Sequence, residues 1–242
     1  MRICLVSETW SPDINGVAHT LGRISQELLA SGVTLDLVRP RPAAASAPAA
    51  DGMATELRVR GMSIPGYKEV RIGMPAGRLM RRQWQTTRPD AVYVATEGPL
   101  GWSALRAAER LGIPVVSGWH TNFDHYCSDY GVAWMAPLVR QRLRRFHNRC
   151  AATLVPTHQQ ANDLTAKGFQ RVSVMARGIE GDQFTPDKRD QALRDRWGVG
   201  PHQPVALYVG RLAPEKNLSL LRDTFHDMQE ARPDLRIVIV GD

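Results

Sequence analysis

Short apolar runs alternate along this chain with stretches in which apolar residues recur every three or four positions. Residues 2–7 predict a buried strand, and residues 17–30 carry apolar side chains at helical spacing. Gly32 marks the end of that helix, and the alternation then continues to residue 174. Strands and helices that alternate at this rhythm are typical of an α/β protein with a mainly parallel, doubly wound sheet.

Two stretches fit the alternation less simply. Residues 56–64 and 67–72, separated by Pro65-Gly66, predict a pair of strands or one strand and its return. Residues 40–54 are rich in Ala and Pro and predict a mobile loop.

The sequence changes character between residues 176 and 203, where Gly and Pro are frequent and one short charged helix is expected. We predict an N-terminal domain at residues 1–176, an inter-domain linker at 177–203, and a second domain from residue 204. After residue 204 the pattern predicts a strand, a helix and a strand. Three elements cannot enclose a hydrophobic core, so we expect residues 204–242 to be the incomplete start of the second domain.

Composition excludes several classes of protein. The 242 residues are 43% hydrophobic and 23% charged, which is unlike a disordered chain, a collagen or a disulfide scaffold. Every apolar run is too short to span a bilayer, and the first is too short for a signal peptide. The three cysteines, Cys4, Cys127 and Cys150, are odd in number and lack metal-ligand spacing, so we expect a cytoplasmic protein without a metal site.

The formal net charge of +7 indicates an anionic partner. Two helical segments, 77–88 and 137–150, place arginines around a narrow apolar stripe. In the second segment the stripe consists of Val139, Leu143, Phe146 and Cys150. Such helices can lie on anionic lipid, although a core-facing stripe with a solvated charged back explains the same pattern. Aromatic residues do not interleave with the arginines, so we expect no nucleic-acid partner.

Three segments at the ends of predicted strands carry the candidate chemistry. Residues 7–16 lead into a helix N-terminus, which attracts phosphate, and Gly16 lets a ligand approach; a capped loop with an incidental glycine is the alternative. His120 follows a strand and is placed to contact a sugar hydroxyl, unless it is a structural histidine bonded to a backbone carbonyl. Arg211 and Lys216 flank a strand-to-helix turn and suit a diphosphate, unless they are ordinary solvated residues.

Five segments, taken in order, cover almost the whole chain: SETWSPDINGVAHTL (7–21), TEGPL (96–100), HTNFDHY (120–126), RGIEGDQFTP (177–186) and VGRLAPEKN (209–217). Together they resemble glycosyltransferase family 4, and most closely its bacterial mannosyl- and glucosyltransferases that act on lipid or glycan acceptors. The resemblance implies the GT-B architecture, which has two Rossmann-like domains. The N-terminal domain would hold the acceptor, and the C-terminal domain most of the nucleotide sugar.

The resemblance also implies roles for individual residues. His120 would contact the donor sugar near the reacting carbon, and Arg211 and Lys216 would neutralise the leaving diphosphate, which makes these three the implied catalytic residues. Glu97 and Tyr126 would border the acceptor. The implied donor site consists of Asn15, Gly16, Gly210, Arg211 and Lys216.

The implied reaction transfers a hexose, mannose or glucose, from a nucleotide diphosphate sugar with retention of configuration, and needs neither a metal nor a cofactor. Glu180 stands where the family usually has Asp, and the family's motif of two glutamates seven residues apart lies beyond residue 242. We therefore expect this chain alone to be inactive. The partners expected are a nucleotide sugar, a lipid or glycan acceptor, and an anionic membrane contacted from the cytoplasmic side. A non-catalytic module that binds membrane or acceptor, and a sugar-nucleotide epimerase of the same fold, are the alternatives.

Overall fold

A computed structural model describes residues 1–13, 15–42, 49–64, 67–120, 136–213 and 216–241. The chain divides into two compact units. The first contains Met1–Asn122 and Pro137–Arg177, and the second contains Phe123–Ala136 and Gly178–Asp242. The first unit ends at Arg177 and the second resumes at Gly178. The sequence predicts that a linker begins at residue 177. The bounds of the linker and of the domains stay predictions.

The described strands and helices of the first unit follow the predicted alternation along the chain. The strands are β1 (Arg2–Val6), β2 (Thr34–Pro40), β3 (Thr55–Val59), β4 (Gly61–Ile64), β5 (Tyr67–Gly73), β6 (Ala91–Val94), β7 (Val115–Gly118), β8 (Ala152–Val155) and β9 (Val172–Val174). The helices are α1 (Gly16–Ala30), α2 (Gly77–Thr86), α3 (Pro99–Arg110), α4 (Ala136–His147) and α5 (His158–Ala166).

Within the described ranges, seven strands form one parallel sheet in the order β3-β2-β1-β6-β7-β8-β9. Leu5 of the central strand β1 lies opposite Leu37 on one side and Tyr93 on the other. The predicted doubly wound parallel sheet is therefore confirmed. Because all seven strands run in one direction, their carboxyl ends meet at a single edge, where ligands of such folds bind.

The predicted strand at residues 56–64 is wrong as a single element. β3 pairs in parallel with β2 in the main sheet, whereas β4 pairs antiparallel with β5 in a separate two-stranded ribbon. The chain changes partner at Arg60, whose carbonyl oxygen accepts a hydrogen bond from the Met74 backbone N–H at 2.8 Å. Apolar residues recur through the whole stretch, so their periodicity does not reveal the break. Of the predicted loop at 40–54, residues 43–48 lie outside the described residues.

Successive side chains of β1 enter two apolar layers on opposite faces of the sheet, as alternation along a strand requires. Cys4 and Val6 pack on one face with Trp84 of α2 and residues of α3. Leu5 packs on the other face with Leu21 of α1, which is fully buried. Burying one leucine side chain of this kind contributes about 2 kcal/mol. The two layers hold the sheet rigid and so fix the positions of its strand ends.

The second unit is built around the parallel pair β10 (Val205–Val209) and β11 (Arg236–Val240), connected by α7 (Leu218–Ala231). A single 3₁₀ turn (Pro186–Lys188) and α6 (Gln191–Arg196) precede them. Large apolar side chains of all three connected elements are exposed, among them Val209, Leu220 and Ile239. The sequence predicts this, since a strand, a helix and a strand do not enclose a core. Among the helices of the described ranges, none is both long and apolar enough to cross a membrane.

Candidate active site

His120 follows β7 at the carboxyl edge of the sheet, where two side chains hold its ring. Its Nε2 lies 3.0 Å from the hydroxyl of Tyr93, and its Nδ1 lies 3.3 Å from the guanidinium of Arg177. Since a guanidinium only donates, Nδ1 must accept, and the ring hydrogen is on Nε2, which donates it to the Tyr93 oxygen. The phenolic hydrogen of Tyr93 is then available to a further acceptor.

Burial is the main cause that lowers the pKa of His120, and the positive charge of Arg177 lowers it further. The negative charge of Glu97 raises this pKa and so opposes both effects. Burial also raises the pKa of Tyr93. Both groups are therefore uncharged at neutral pH, in agreement with the hydrogen positions inferred from the contacts. Both described partners of the His120 ring are side chains. These contacts do not support the alternative in which His120 is a structural histidine bonded to a backbone carbonyl.

Gly118, the last residue of β7, makes this pairing possible. A Cβ atom at Gly118 would lie 2.2 Å from the Tyr93 hydroxyl oxygen and 2.5 Å from His120 Nε2. Both distances are far shorter than any real contact, so a side chain at this position would force the two rings apart. Nothing in the spacing of the sequence reveals this requirement.

Two carboxylates, Glu8 after β1 and Glu97 after β6, lie at the same edge. The backbone N–H of Leu100, in the first turn of α3, donates to Glu8 Oε1 at 3.3 Å, and the Glu8 N–H donates to Thr96 Oγ1 at 3.0 Å. Burial raises the pKa of Glu8 to about 7; the negative charge of Glu97 adds to the rise, and the Leu100 hydrogen bond opposes it. Sequence reasoning missed Glu8, because no local pattern shows that its side chain is buried.

The acceptor-side residues predicted from the resemblance are only partly described. Glu97 lies at the carboxyl edge, where its side chain is 8% exposed and its Oε1 is 3.0 Å from Nε2 of His147. The negative charge of Glu97 raises the pKa of both His120 and Glu8. Its role toward an acceptor stays a prediction. Tyr126 lies outside the described residues.

Asn15 caps the N-terminus of α1. Its Oδ1 accepts from the backbone N–H groups of Val17 at 3.1 Å and Ala18 at 2.9 Å, and its Nδ2 donates to Thr9 Oγ1 at 2.6 Å. A Cβ at Gly16 would meet no atom within 4 Å, so the space beside this helix terminus is open. The structure thus combines the capped loop with an open approach, and the predicted contact of Asn15 and Gly16 with a donor stays a prediction.

Arg211 and Lys216 lie at the carboxyl end of β10, on the segment that leads into α7. The N–H of Gly210 donates to the Val240 carbonyl at 3.0 Å, and the Tyr208 hydroxyl donates to the Arg211 carbonyl at 2.9 Å. These two bonds fix the backbone as the strand ends. Both cationic side chains are exposed, which leaves them accessible to an anionic ligand. Their predicted contact with a diphosphate, and that of Gly210, is not tested by this geometry.

A second feature of the first unit is a cavity of about 800 Å³ bounded by α2, α3 and α4, which we call the arginine groove. Its cationic lining consists of Arg78, Arg81, Arg106, Arg110, Arg142, Arg145 and Arg149. Within the described part of the chain, only Arg149 of these seven pairs with a carboxylate, that of Glu109. The groove therefore carries a large excess of positive charge.

Trp102 forms part of the wall of the arginine groove. The guanidinium carbons of Arg106, Arg142 and Arg149 lie 5.7, 5.3 and 5.9 Å from the centre of its ring, as cation–π contacts do. On the other side of α4, Leu143 and other members of the predicted stripe are buried. The core-facing reading of residues 137–150 is thus confirmed, and the charged back of the helix is what lines the groove.

The two described cysteines do not form a disulfide bond. Cys4 and Cys150 are buried free thiols, and burial raises the pKa of the Cys150 thiol to about 11. Cys127 lies outside the described residues. Across the described ranges, no three His, Cys, Asp or Glu side chains are grouped so that they could hold a metal ion.

Comparisons with known proteins bear on the family and the fold of the chain. The model of Glycosyltransferase Family 4 matches residues 14–183, and that of Glycosyl transferases group 1 matches residues 190–242. A GDP-mannose-dependent alpha-mannosyltransferase of Mycobacterium tuberculosis (strain CDC 1551 / Oshkosh) is 31% identical over 249 residues, which cover 100% of this chain and 63% of the relative. An alpha-monoglucosyldiacylglycerol synthase of Acholeplasma laidlawii is 27% identical over 257 residues, with the same two coverages, 100% and 63%.

The chain therefore spans less than two thirds of the length of these relatives. Among solved structures, the sucrose-phosphate synthase of Thermosynechococcus elongatus superposes with a TM-score of 0.68 at 14% identity, over 100% of this chain and 62% of that one. This likeness shows the fold, and the predicted α/β fold of GT-B type is confirmed. Because the family model covers more than half of the sequence and a curated relative aligns with all of it, the chain belongs to glycosyltransferase family 4.

Proposed function

We propose that this chain takes part in transferring a hexose, mannose or glucose, from a nucleotide diphosphate sugar to a lipid or glycan acceptor with retention of configuration. The observation that carries the proposal is the neutral His120, held between Tyr93 and Arg177 at the carboxyl edge of a family-4 sheet. The names of the relatives support the substrates: one uses GDP-mannose, and another makes a glucosylated diacylglycerol. The donor itself supplies the group that moves, so the proposal includes no cofactor.

In this reaction the bond between the anomeric carbon and the diphosphate breaks, and a bond to an acceptor hydroxyl forms. The contact of His120 Nδ1 with Arg177, at 3.3 Å, is long for a charge-assisted hydrogen bond. A sugar hydroxyl is therefore expected to replace Arg177 as the donor to Nδ1. The Tyr93 contact would meanwhile keep the ring in place.

Negative charge grows on the departing diphosphate while the sugar becomes oxocarbenium-like. In our proposal, the cationic side chains of Arg211 and Lys216 meet this charge. Fixed positive groups stabilise a developing charge most strongly where water is excluded. Removing one such group costs about 3 kcal/mol of barrier, by analogy with the loss of one oxyanion-hole donor.

The test uses the intact protein that carries this sequence, with GDP-mannose or UDP-glucose as donor and diacylglycerol or phosphatidylinositol in vesicles as acceptor. Arg211→Ala and Lys216→Ala should each lower the transfer rate by about a hundredfold without changing the melting temperature. Lys188→Ala, which removes an exposed positive charge from the same unit, is the matched control and should leave the rate unchanged. Full activity of both variants would refute the roles of the two cations, and formation of a donor epimer without acceptor would favour the epimerase alternative.

We further infer that the arginine groove holds the first unit against an anionic membrane, where a lipid acceptor would be found. The support is the excess of unneutralised guanidinium groups around one cavity. Juxtamembrane basic residues contribute roughly 1 kcal/mol each to binding of an anionic surface. The predicted location, cytoplasmic and peripheral at the membrane, belongs to the same proposal.

Co-sedimentation with vesicles containing phosphatidylglycerol tests this contact. The double change Arg81→Glu with Arg145→Glu should weaken binding at least tenfold, and added salt should weaken the wild type. The control Lys188→Glu with Arg196→Glu makes the same charge change in the second unit and should bind like the wild type. Equal losses of vesicle binding in the two double variants would refute a specific role of the arginine groove. Vesicle binding without any transfer would favour the non-catalytic module.

A further inference from the structure

A chain of buried polar side chains runs from Glu97 into the first unit. His147, the last residue of α4, is 0% exposed, and its Nε2 lies 3.0 Å from Glu97 Oε1. Its Nδ1 lies 2.9 Å from Ser117 Oγ and 3.3 Å from Thr153 Oγ1. Ser117 is also 0% exposed, so no substrate can reach its hydroxyl. Ser117 and His147 therefore do not act as a catalytic nucleophile and its general base.

The hydrogen positions in this chain follow from the chemistry of its ends. An ionised carboxylate only accepts, so Nε2 of His147 carries a hydrogen and donates it to Glu97. Its Nδ1 lies within hydrogen-bonding distance of the hydroxyls of Ser117 and Thr153, whose oxygens are 3.2 Å from one another. Each polar atom of the buried ring thus has a partner, as buried polar groups require.

Aromatic rings prevent the imidazole from turning. The ring centres of Trp119, Phe146 and Phe169 lie 5.0, 5.3 and 5.8 Å from that of His147. Side chains packed on several sides leave His147 one orientation, and its Nε2–H points at Glu97. A rigid donor of this kind fixes one carboxylate oxygen in space, whereas a solvated glutamate samples several rotamers.

The other carboxylate oxygen of Glu97, Oε2, makes no hydrogen bond to any other described residue. Glu97 follows β6 at the carboxyl edge of the sheet, and its negative charge raises the pKa of both His120 and Glu8. A fixed carboxylate oxygen that has no hydrogen-bond partner among the described residues can accept a hydrogen bond from a ligand hydroxyl. The hydroxyl of an acceptor is the group that needs orienting in a transfer reaction.

We propose that His147 is a positioning residue for the transfer: it fixes Glu97 Oε1 so that Oε2 receives and orients the acceptor hydroxyl. The inference rests on the proposed function and adds to it the residue that sets the geometry on the acceptor side. Ser117 and Thr153 act one step further back, by holding Nδ1 of the His147 ring in place.

The experiment compares two rates in the intact protein: transfer from GDP-mannose to diacylglycerol, and hydrolysis of GDP-mannose by water without acceptor. His147→Leu removes the donor to Glu97, and transfer should fall by about a hundredfold through a higher acceptor KM and a lower kcat, whereas hydrolysis stays constant. His147→Gln keeps an N–H donor and should recover much of the loss. Glu97→Gln should show the same selective loss, and combining it with His147→Leu should add little, because both changes remove one interaction.

Leu143→Ala is the control for damage to α4, since it opens a cavity in the same helix without touching Glu97. It should lower the melting temperature and leave the ratio of transfer to hydrolysis unchanged. An equal fall of both rates in His147→Leu and His147→Gln, or a selective loss in Leu143→Ala as well, would show a purely structural histidine and overturn the inference. Unchanged transfer in the His147 variants would overturn it too. A wild type that neither transfers nor hydrolyses any nucleotide sugar refutes the proposed function itself, and His147 then has no such role.

Discussion

Replacing Glu8 by Gln should remove a pH dependence from the stability of the first unit. The usual pKa of a glutamate is 4.5, and burial beside Glu97 raises that of Glu8 to about 7 in the folded protein. Between these two values the folded protein keeps a proton that the unfolded chain loses. The stabilisation linked to this proton is complete below pH 4.5 and is lost as the pH rises through about 7.

The size of the effect follows from the two pKa values. A difference of about 2.5 units corresponds to roughly 3 kcal/mol when the group titrates completely, and most of it falls between about pH 5 and pH 8.5. Gln cannot ionise, yet its amide oxygen can still accept the hydrogen bond from Leu100. We therefore expect Glu8→Gln to gain roughly 2–3 kcal/mol over the wild type as the pH rises across this interval.

Urea unfolding curves for the wild type and Glu8→Gln, recorded at several pH values, measure this difference directly. Comparison with the wild type cancels the other titrating groups, because they are common to both proteins. Glu27→Gln, at an exposed glutamate of α1, is the matched control and should follow the wild type at every pH. If the free energies of unfolding of the wild type and Glu8→Gln stay parallel from about pH 5 to pH 8.5, Glu8 is not a buried carboxyl group of raised pKa.

Three further changes test other parts of the first unit. Gly118→Ala should lower hexose transfer by at least tenfold, since its Cβ would separate Tyr93 from His120, whereas Gly22→Ala, which meets open space in α1, should keep the full rate. Asn15→Ala should cost about 1 kcal/mol of stability through the lost helix cap, and Asn15→Ser should cost less; equal melting temperatures for both would refute the capping role. Leu21→Ala should lower the free energy of unfolding by about 2–5 kcal/mol in urea titrations, and a smaller loss would mean that the α1 layer collapses around the cavity.

The order and direction of the main elements could be predicted from the sequence because hydrophobic periodicity is a local signal. The strand ends follow from it, and with them the position of His120 at the carboxyl edge. Local signals fail where a contact spans the chain. Glu8 meets Leu100 across 92 residues, and Glu97 meets His147 across 50, so no window of sequence contains either pair.

A weaker signal for His147 was present in the sequence. The residue stands four positions after Leu143 and next to Phe146, and both of these belong to the predicted core-facing stripe. A titratable side chain on the buried face of a helix needs a buried partner, which is reason enough to look for one. The identity of that partner still required the fold, because the end of β6 and the end of α4 meet only in three dimensions.

The stacking of three guanidinium groups on Trp102 gives the arginine groove an optical reporter of its own. An anion that draws these arginines away from the indole would change the environment of the ring, and with it the intensity and wavelength of its emission. The difference in fluorescence between the wild type and Trp102→Phe, followed during a titration with phosphate or anionic lipid, would isolate this indole from the other five tryptophans. Occupancy of the groove could thus be followed in solution without attaching a dye.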